Sequence, residues 1–367
     1  MRKEGCPVLK HWVLAAAIVA GGTLLAQNHI HRQVSQSLKQ PPSPARVMMR
    51  AETRLPQGDS LRLSAVDFIS PRDGWVVGAT LNKSGQWVAE TIYRTVDGGK
   101  RWSSLAVWDT SHPMPAPAQS SVGLPAITRL SFQNGHSGHA VEFLGVGAGQ
   151  ATYGILSTRD GGRQWTLKTP HILIGSDGPV SLSFPGGGST GWFGNGSFAG
   201  AYTLLAKTTD NGRSWTTWAQ VPSPQPSPSA LDMHFTSLTS AYMVVSGNGY
   251  QKTRPSLELL TTQDGGLRWQ NRMLPVTGLP DLINGLSYVN PSIGWIVAAA
   301  PNHPYRLYHW SHGSWAPLAT PGKGSFNPPL LDLVTAKVGY AAQSEGSLST
   351  LWKTADGGSH WTPVKLP

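Results

Sequence analysis

The chain has 367 residues, 42 of them glycine and 29 proline, with only 13% charged side chains and fifteen tryptophans against nine tyrosines and eight phenylalanines. That is too aromatic for a disordered polymer and too rich in turn formers for a helical bundle, which leaves an all-β protein with many turns. The formal charge of +10 divides between residues 1–60, with 8 Lys/Arg against 3 Asp/Glu, and the remaining 307, with 21 against 16; no basic stripe with interleaved aromatics points to nucleic acid.

In chain order, the first element is an export segment. Arg2, Lys3 and Lys10 precede an uncharged apolar run, WVLAAAIVAGGTLLA, from Trp12 to Ala26. A basic flank followed by an apolar stretch is the pattern of a secretory signal, and fifteen residues lie between a signal core and a full membrane span of about 20. Residues 1–27 are therefore expected to be a signal-anchor, or a signal peptide if cleaved. Leu24 is too large for a good small-x-small cleavage site ending at Ala26. Either outcome places the rest of the chain outside the cytoplasm, with the membrane as partner where the anchor is kept. Cys6, the sole cysteine, precedes the apolar run, so no disulfide or thiol chemistry is expected beyond it. Residues 28–60, with KQPPSPAR at their centre, read as a polar, proline-containing linker.

Two motifs then alternate to the C-terminus. One is Ser/Thr-x-Asp-x-Gly-x-x-Trp, in RTVDGGKRW (94–102), STRDGGRQW (157–165), KTTDNGRSW (207–215), TTQDGGLRW (261–269) and KTADGGSHW (353–361). It places Asp97, Asp160, Asp210, Asp264 and Asp356 five residues before Trp102, Trp165, Trp215, Trp269 and Trp361. YHWSHGSW (308–315) is a sixth copy that keeps the glycine and Trp315 but lacks the aspartate. An Asp at a turn accepts backbone N–H groups one to three residues on, glycine supplies the left-handed conformations of a tight hairpin, and Trp opens the returning strand. Constant spacing points to one local fold reused, so these aspartates are turn formers and not catalysts.

The second motif is an apolar strand ending in Phe, Tyr or Leu, then a short turn, then glycine or alanine and an aromatic residue. The aromatic positions are Trp75, His139, Trp192, Tyr242, Trp295 and Tyr340. Each pair of motifs makes a four-stranded meander, and six meanders read as the blades of a propeller spanning 61–367. The blades fall near 61–107, 127–170, 178–219, 229–274, 282–318 and 329–365.

These residues resemble the Asp-box, or bacterial neuraminidase repeat, of sialidases, sortilin-type receptors and related β-propellers. The pairing of Gly-Trp with Thr-x-Asp-Gly-Gly-x-x-Trp is most similar to the photosystem II assembly and stability factor family and its relatives in non-photosynthetic bacteria. The resemblance runs from Leu61 to the C-terminus and is specific for fold, because the motif is scaffold. It implies a propeller that assists membrane-protein assembly without catalysis. Those relatives have seven blades, whereas six are counted here.

The sialidase alternative implies an Arg-Ile-Pro motif, two further arginines, a Tyr/Glu pair and an Asp acid/base. Arg54-Leu55-Pro56 stands in the right region for the first. Outside the repeated aspartates the acidic candidates are Glu90, Glu142, Glu258 and Glu345, with Asp67, Asp232 and Asp332 near the ends of first strands. The last three read as repeat positions. His309 with His312 and His29 with His31 have no partners of metal-ligand spacing, and no nucleophile elbow, phosphate loop or dinucleotide fingerprint occurs. No catalytic residue, metal or cofactor is therefore assigned.

The remaining expectation concerns a binding face. Links between blades and the hairpins after second strands vary most in length and fall on the face opposite the Asp turns. Irregular loops on a rigid scaffold are where ligands are usually met. The contact candidates are Trp87, Trp108, Tyr250, Lys252, Arg254, His303, Tyr305 and Arg306, and the expected ligand is a protein or a cell-envelope component.

Overall fold

A computed structural model describes residues 59–109, 127–147, 150–168, 175–176, 180–196, 202–222, 228–247, 256–273, 282–299, 305–322, 329–345 and 348–366. The export segment and most of the linker lie outside them. Among the described residues no helix is long and apolar enough to cross a membrane.

Six sheets form, each from four strands consecutive in sequence and paired antiparallel. In blade 1 these are Ser60–Phe68, Gly74–Leu81, Trp87–Thr95 and Ser103–Asp109. The other blades span 127–168, 180–222, 228–273, 282–318 and 330–364. The fold is the expected six-bladed propeller, with one addition: in blade 2 the third strand also pairs with Gly175–Ser176.

The aspartate hairpins are built as a unit. In blade 4, Thr262 Oγ1 donates to Asp264 Oδ1 (2.9 Å), while Gly266 N–H donates to Thr262 Oγ1 (3.1 Å). Asp264 Oδ1 then accepts the N–H groups of Leu267 (3.0 Å) and Arg268 (2.9 Å). The carboxylate thus reaches three and four residues on, further than expected, because the threonine hydroxyl holds the nearer N–H. Gly265 and Gly266 take φ of 75° and 89°, and Asn211 takes 62° at the corresponding position of blade 3. The hairpin also bonds its own blade, with Gly265 N–H donating to Thr239 O (2.8 Å) across the first hairpin. Blade 5 uses a tighter turn, His312 and Gly313 at φ of 51° and 81°, which does not need the aspartate.

Blades hold one another through side chains. The aromatic residue after the glycine or alanine of one blade stacks on the strand-end residue of the next: Trp75 on Phe132 (centroids 3.7 Å apart), His139 on Phe184 (3.9 Å), Trp192 on Phe235 (3.9 Å) and Tyr242 on Tyr288 (3.7 Å). The indole N–H then crosses to the next hairpin, Trp75 to Gly161 O, Trp192 to Gly265 O and Trp295 to Gly357 O (2.8–3.0 Å). The hairpin tryptophan meets the same phenylalanine edge-on, as Trp165 does Phe132 (5.9 Å, 83°).

The ring closes in the same way, without strand exchange. Tyr340 of blade 6 stacks on Phe68 of blade 1 at 3.5 Å and donates its hydroxyl to Pro71 O (2.9 Å). Lys353 Nζ reaches Gly98 O, Trp102 Nε1 donates to Lys365 O, and Leu63 N–H donates to Ser349 Oγ.

Stacking and hydrogen bonding at one interface are separable by substitution. Trp192→Phe keeps the ring over Phe235 but loses the bond to Gly265 O, and should cost about 1 kcal/mol. Trp192→Ala removes both and should cost about 3–5 kcal/mol. Equilibrium urea unfolding of the two variants measures the difference.

Candidate functional site

The six first strands converge on an axial cavity of about 420 Å³. Each presents an inner edge with no strand beyond it, so its edge N–H groups need acceptors. The preceding blade supplies them from the residue just before its own strand end. Phe132 N–H donates to Asp67, Phe184 N–H to Ser131 Oγ (3.0 Å), Phe235 N–H to Ser183 Oγ (3.0 Å), Leu333 N–H to Ser287 Oγ (2.9 Å), and Phe68 N–H to Asp332. Between blades 4 and 5 this position is His234, whose ring makes no hydrogen bond among the described residues. There Asp232, two residues earlier, accepts Leu286 N–H (2.8 Å) and takes over the junction.

The channel is therefore lined by three carboxyl groups, the imidazole of His234, the hydroxyls of Ser131, Ser181, Ser183 and Ser287, and Arg129. Burial pushes Asp67 up to about 7 and raises Asp332, which the neighbouring Asp67 charge raises further. Burial also raises Asp232, opposed by the Arg129 charge, and lowers His234 to about 4. His234 is thus a neutral imidazole at physiological pH.

Arg129 is the one arginine and there is no glutamate among the described residues lining the cavity. Arg54 lies outside the described residues. Glu90 and Glu142 are both fully buried, Glu90 accepting Ile127 N–H across the interface of blades 1 and 2. Burial and then Glu90 push Glu142 up to about 8. Glu258 accepts Asn271 Nδ2 at the rim of blade 4, and Glu345 ends the second strand of blade 6. Glu90, Glu142 and Glu258 do not line the channel. Among the described residues no group of three or more His, Cys, Asp or Glu is arranged to hold a metal ion. His309 stacks instead on Trp295 at 4.7 Å.

Of the contact candidates, Trp87 is half-buried and Arg306 exposed, each opening a third strand on the face away from the aspartate hairpins. Tyr305 sits in the core, 4% exposed, packed with Trp295 and Leu307. Trp108 lies in the fourth strand of blade 1, and Tyr250, Lys252, Arg254 and His303 fall outside the described residues. The serines and His234 of the channel were missed by sequence reading. The signal of Ser131, Ser183, His234 and Ser287 was a polar residue, in phase, directly before each strand end.

Raised carboxyls at the seam of blades 6 and 1 give stability a definite pH sign. Protonated Asp67 and Asp332 stabilise fully below the ordinary carboxylate range, and that contribution is lost as pH rises through about 7. The thermal midpoint should fall by about 5 °C between pH 5.5 and 8. Asp67→Asn should flatten that slope, as followed by circular dichroism.

No family model and no curated protein matches the sequence. Solved structures do match in fold. The SapL1 lectin in complex with α-methyl fucoside aligns at 14% identity over 84% of this chain and 97% of that chain, with TM-score 0.57. A GH74 enzyme of Niastella koreensis aligns at 16% identity over 87% of this chain with TM-score 0.52, and this chain spans 46% of it. YCF48 from Cyanidioschyzon merolae aligns at 13% identity over 89% of this chain and 91% of that chain, with TM-score 0.47. The chain is a six-bladed β-propeller, similar in fold to the SapL1 lectin and to a GH74 enzyme.

Proposed function

We propose that the chain is an extracytoplasmic binding or assembly scaffold, held at the membrane by its N-terminal segment or released where that segment is cleaved. Its partner is a protein or a cell-envelope component. The observation that carries this reading is the use of the channel carboxyls. Glycoside hydrolysis needs two carboxyl groups free to exchange protons with substrate. Here Asp67, Asp232 and Asp332 each accept a backbone N–H of the following blade, and one arginine accompanies them.

Contacts are then made by the loop-bearing face, where Trp87 and Arg306 stand at the bases of hairpins of unequal length. The repeat resemblance to assembly factors, read from the motifs alone, agrees with this choice. Shared fold with a lectin and a glycosidase does not oppose it, because propellers carry many functions on one scaffold.

Cross-linking of the full chain in cell-envelope membranes tests the reading. A reproducible partner is expected, with capture reduced about fivefold in Arg306→Ala. Turnover of a sialoside or another glycoside that disappears when Arg54 or Asp67 is changed would refute it.

A further inference from the structure

The aspartate hairpins and the first hairpins beside them share one face of the ring, and the net positive charge of the propeller lies there. Each aspartate hairpin of blades 1 to 4 carries an exposed cation, Lys100, Arg159 with Arg163, Arg213 and Arg268 in turn, and Lys337 is exposed in the first hairpin of blade 6. With the ends of the third strands included, the described residues of this face hold eleven Lys and Arg against six Asp. Every other charged group of residues 61–367, ten of each sign, adds nothing net. The aspartates are drawn back into the structure. Asp73 is ion-paired with Arg94 (2.9 Å), and the five hairpin aspartates accept backbone N–H groups of their own turns.

Apolar tips stand among these cations. Of the five exposed large hydrophobic side chains among the described residues, three are on this face: Val96 (59% exposed) in blade 1, and Leu238 (54%) and Leu267 (53%) in blade 4. Blades 1 and 4 lie across the axis from one another in a ring of six, so the apolar tips stand at opposite edges. The five aspartate hairpins have one length, and each is tied to the first hairpin of its blade by an N–H bond of 2.8–2.9 Å from the next glycine or from Asn211. The tips are thereby held level. A level face with cations around it and aliphatic side chains at its edges is complementary to a flat anionic surface with an apolar interior.

We infer that the hairpin face docks on a bilayer containing anionic phospholipid. The arginines and lysines meet the lipid phosphates, while Val96, Leu238 and Leu267 reach among the headgroups toward the acyl boundary. Interfacial binding grows with buried apolar area and with attraction to anionic lipid, and this face supplies both. An acidic polypeptide would answer the charge but not the aliphatic tips. A bilayer also asks for no variation in loop length, which suits hairpins of one length. Residues 28–60 are long enough, at about 3.3 Å per residue, to pass around the ring to the first strand, which enters from the opposite face. Docking turns that opposite face, with Trp87 and Arg306, away from the membrane, and it does so whatever the propeller binds there.

The test uses the full chain with Cys6→Ser and an environment-sensitive dye on Leu267→Cys. It is mixed with vesicles of phosphatidylcholine alone or of phosphatidylcholine with phosphatidylglycerol. Dye emission should move to the blue, and be quenched by lipid-borne nitroxide, only in the mixed vesicles. A dye on Lys83→Cys, exposed on the second hairpin of blade 1, should stay in water with both. Salt at about 0.5 M should release the tip, because the screening length falls to about 4 Å. Arg159→Gln, Arg163→Gln, Arg213→Gln and Arg268→Gln should each weaken docking about fivefold, with an unchanged thermal midpoint showing that the ring is intact. Flotation with neutral vesicles reads the N-terminal segment by itself, so loss of the anchor is distinguished from loss of docking. A Leu267→Cys dye that stays wet with phosphatidylglycerol, or dries equally in neutral lipid, would overturn the inference, as would drying of the Lys83→Cys dye. A response to soluble polyglutamate with none to lipid would also overturn it and give the face to an acidic protein.

Discussion

Neighbouring blades of this propeller share no strand, so the ring depends on a stack of flat side chains repeated at five of its six interfaces. In the sequence Arg94, Trp75, Phe132, Trp165, a guanidinium lies over an indole (4.6 Å), the indole lies on the next blade's phenyl ring, and a second indole meets that phenyl edge-on. Lys207, Trp192, Phe235 and Trp269 repeat the arrangement between blades 3 and 4. Each aromatic pair adds about 0.5–1.5 kcal/mol beyond its buried area. The glycine before the aromatic follows from the same stack, since a Cβ on Gly191 would stand 2.3 Å from the Phe184 ring of its own blade. Composition is the record of this constraint, with glycine under the ring and tryptophan at both ends of the stack.

The stack tolerates replacement where another bond compensates. Between blades 5 and 6 the strand-end residue is Leu333, which cannot stack, and Trp295 is sandwiched instead by His309 while keeping its bond to Gly357 O. Between blades 2 and 3 the aromatic is His139, whose ring nitrogens meet Asn211 Oδ1 (3.1 Å) and Ser157 Oγ (3.0 Å). Burial holds that imidazole down to about 4, so it remains neutral and stacks as an aromatic would. The sixth interface, Tyr340 on Phe68, joins the two ends of the propeller. Its five side-chain hydrogen bonds across the seam take the place of an exchanged strand.

How much of this was legible depends on whether a residue type is rare enough to be noticed. Asp264 and Trp269 were readable because an aspartate and a tryptophan at fixed spacing recur against a background poor in charge. Blade number followed, as did the departure of blade 5, where Trp315 persists after the aspartate is gone. Ser131, Ser183 and Ser287 do equally important work in the channel. A serine before a phenylalanine, however, carries no signal until the phase of the strand is known. The carboxyls show the converse: Asp67 and Asp332 were visible as acids, but only the inner-edge geometry reveals that each is an acceptor for the next blade. Tyr305, placed by loop length among exposed contacts, turned inward because its ring fills space beside Trp295.

The polar groups of the two propeller faces are under unequal constraint. On the hairpin face, Asp97, Asp160, Asp210, Asp264 and Asp356 each fold a turn in which the N–H of the next glycine, or of Asn211 in blade 3, donates to the first hairpin of the same blade. Lengthening the turns of Asp160, Asp264 or Asp356 would break the hydrogen bond from the indole of the blade before, so the ring itself fixes their length. On the opposite face the links and second hairpins receive no comparable bond from a neighbouring blade among the described residues, and their lengths differ widely. A scaffold that recognises a partner needs positions able to change without opening the ring. The face that carries Trp87 and Arg306 supplies them, and the aspartate hairpins cannot.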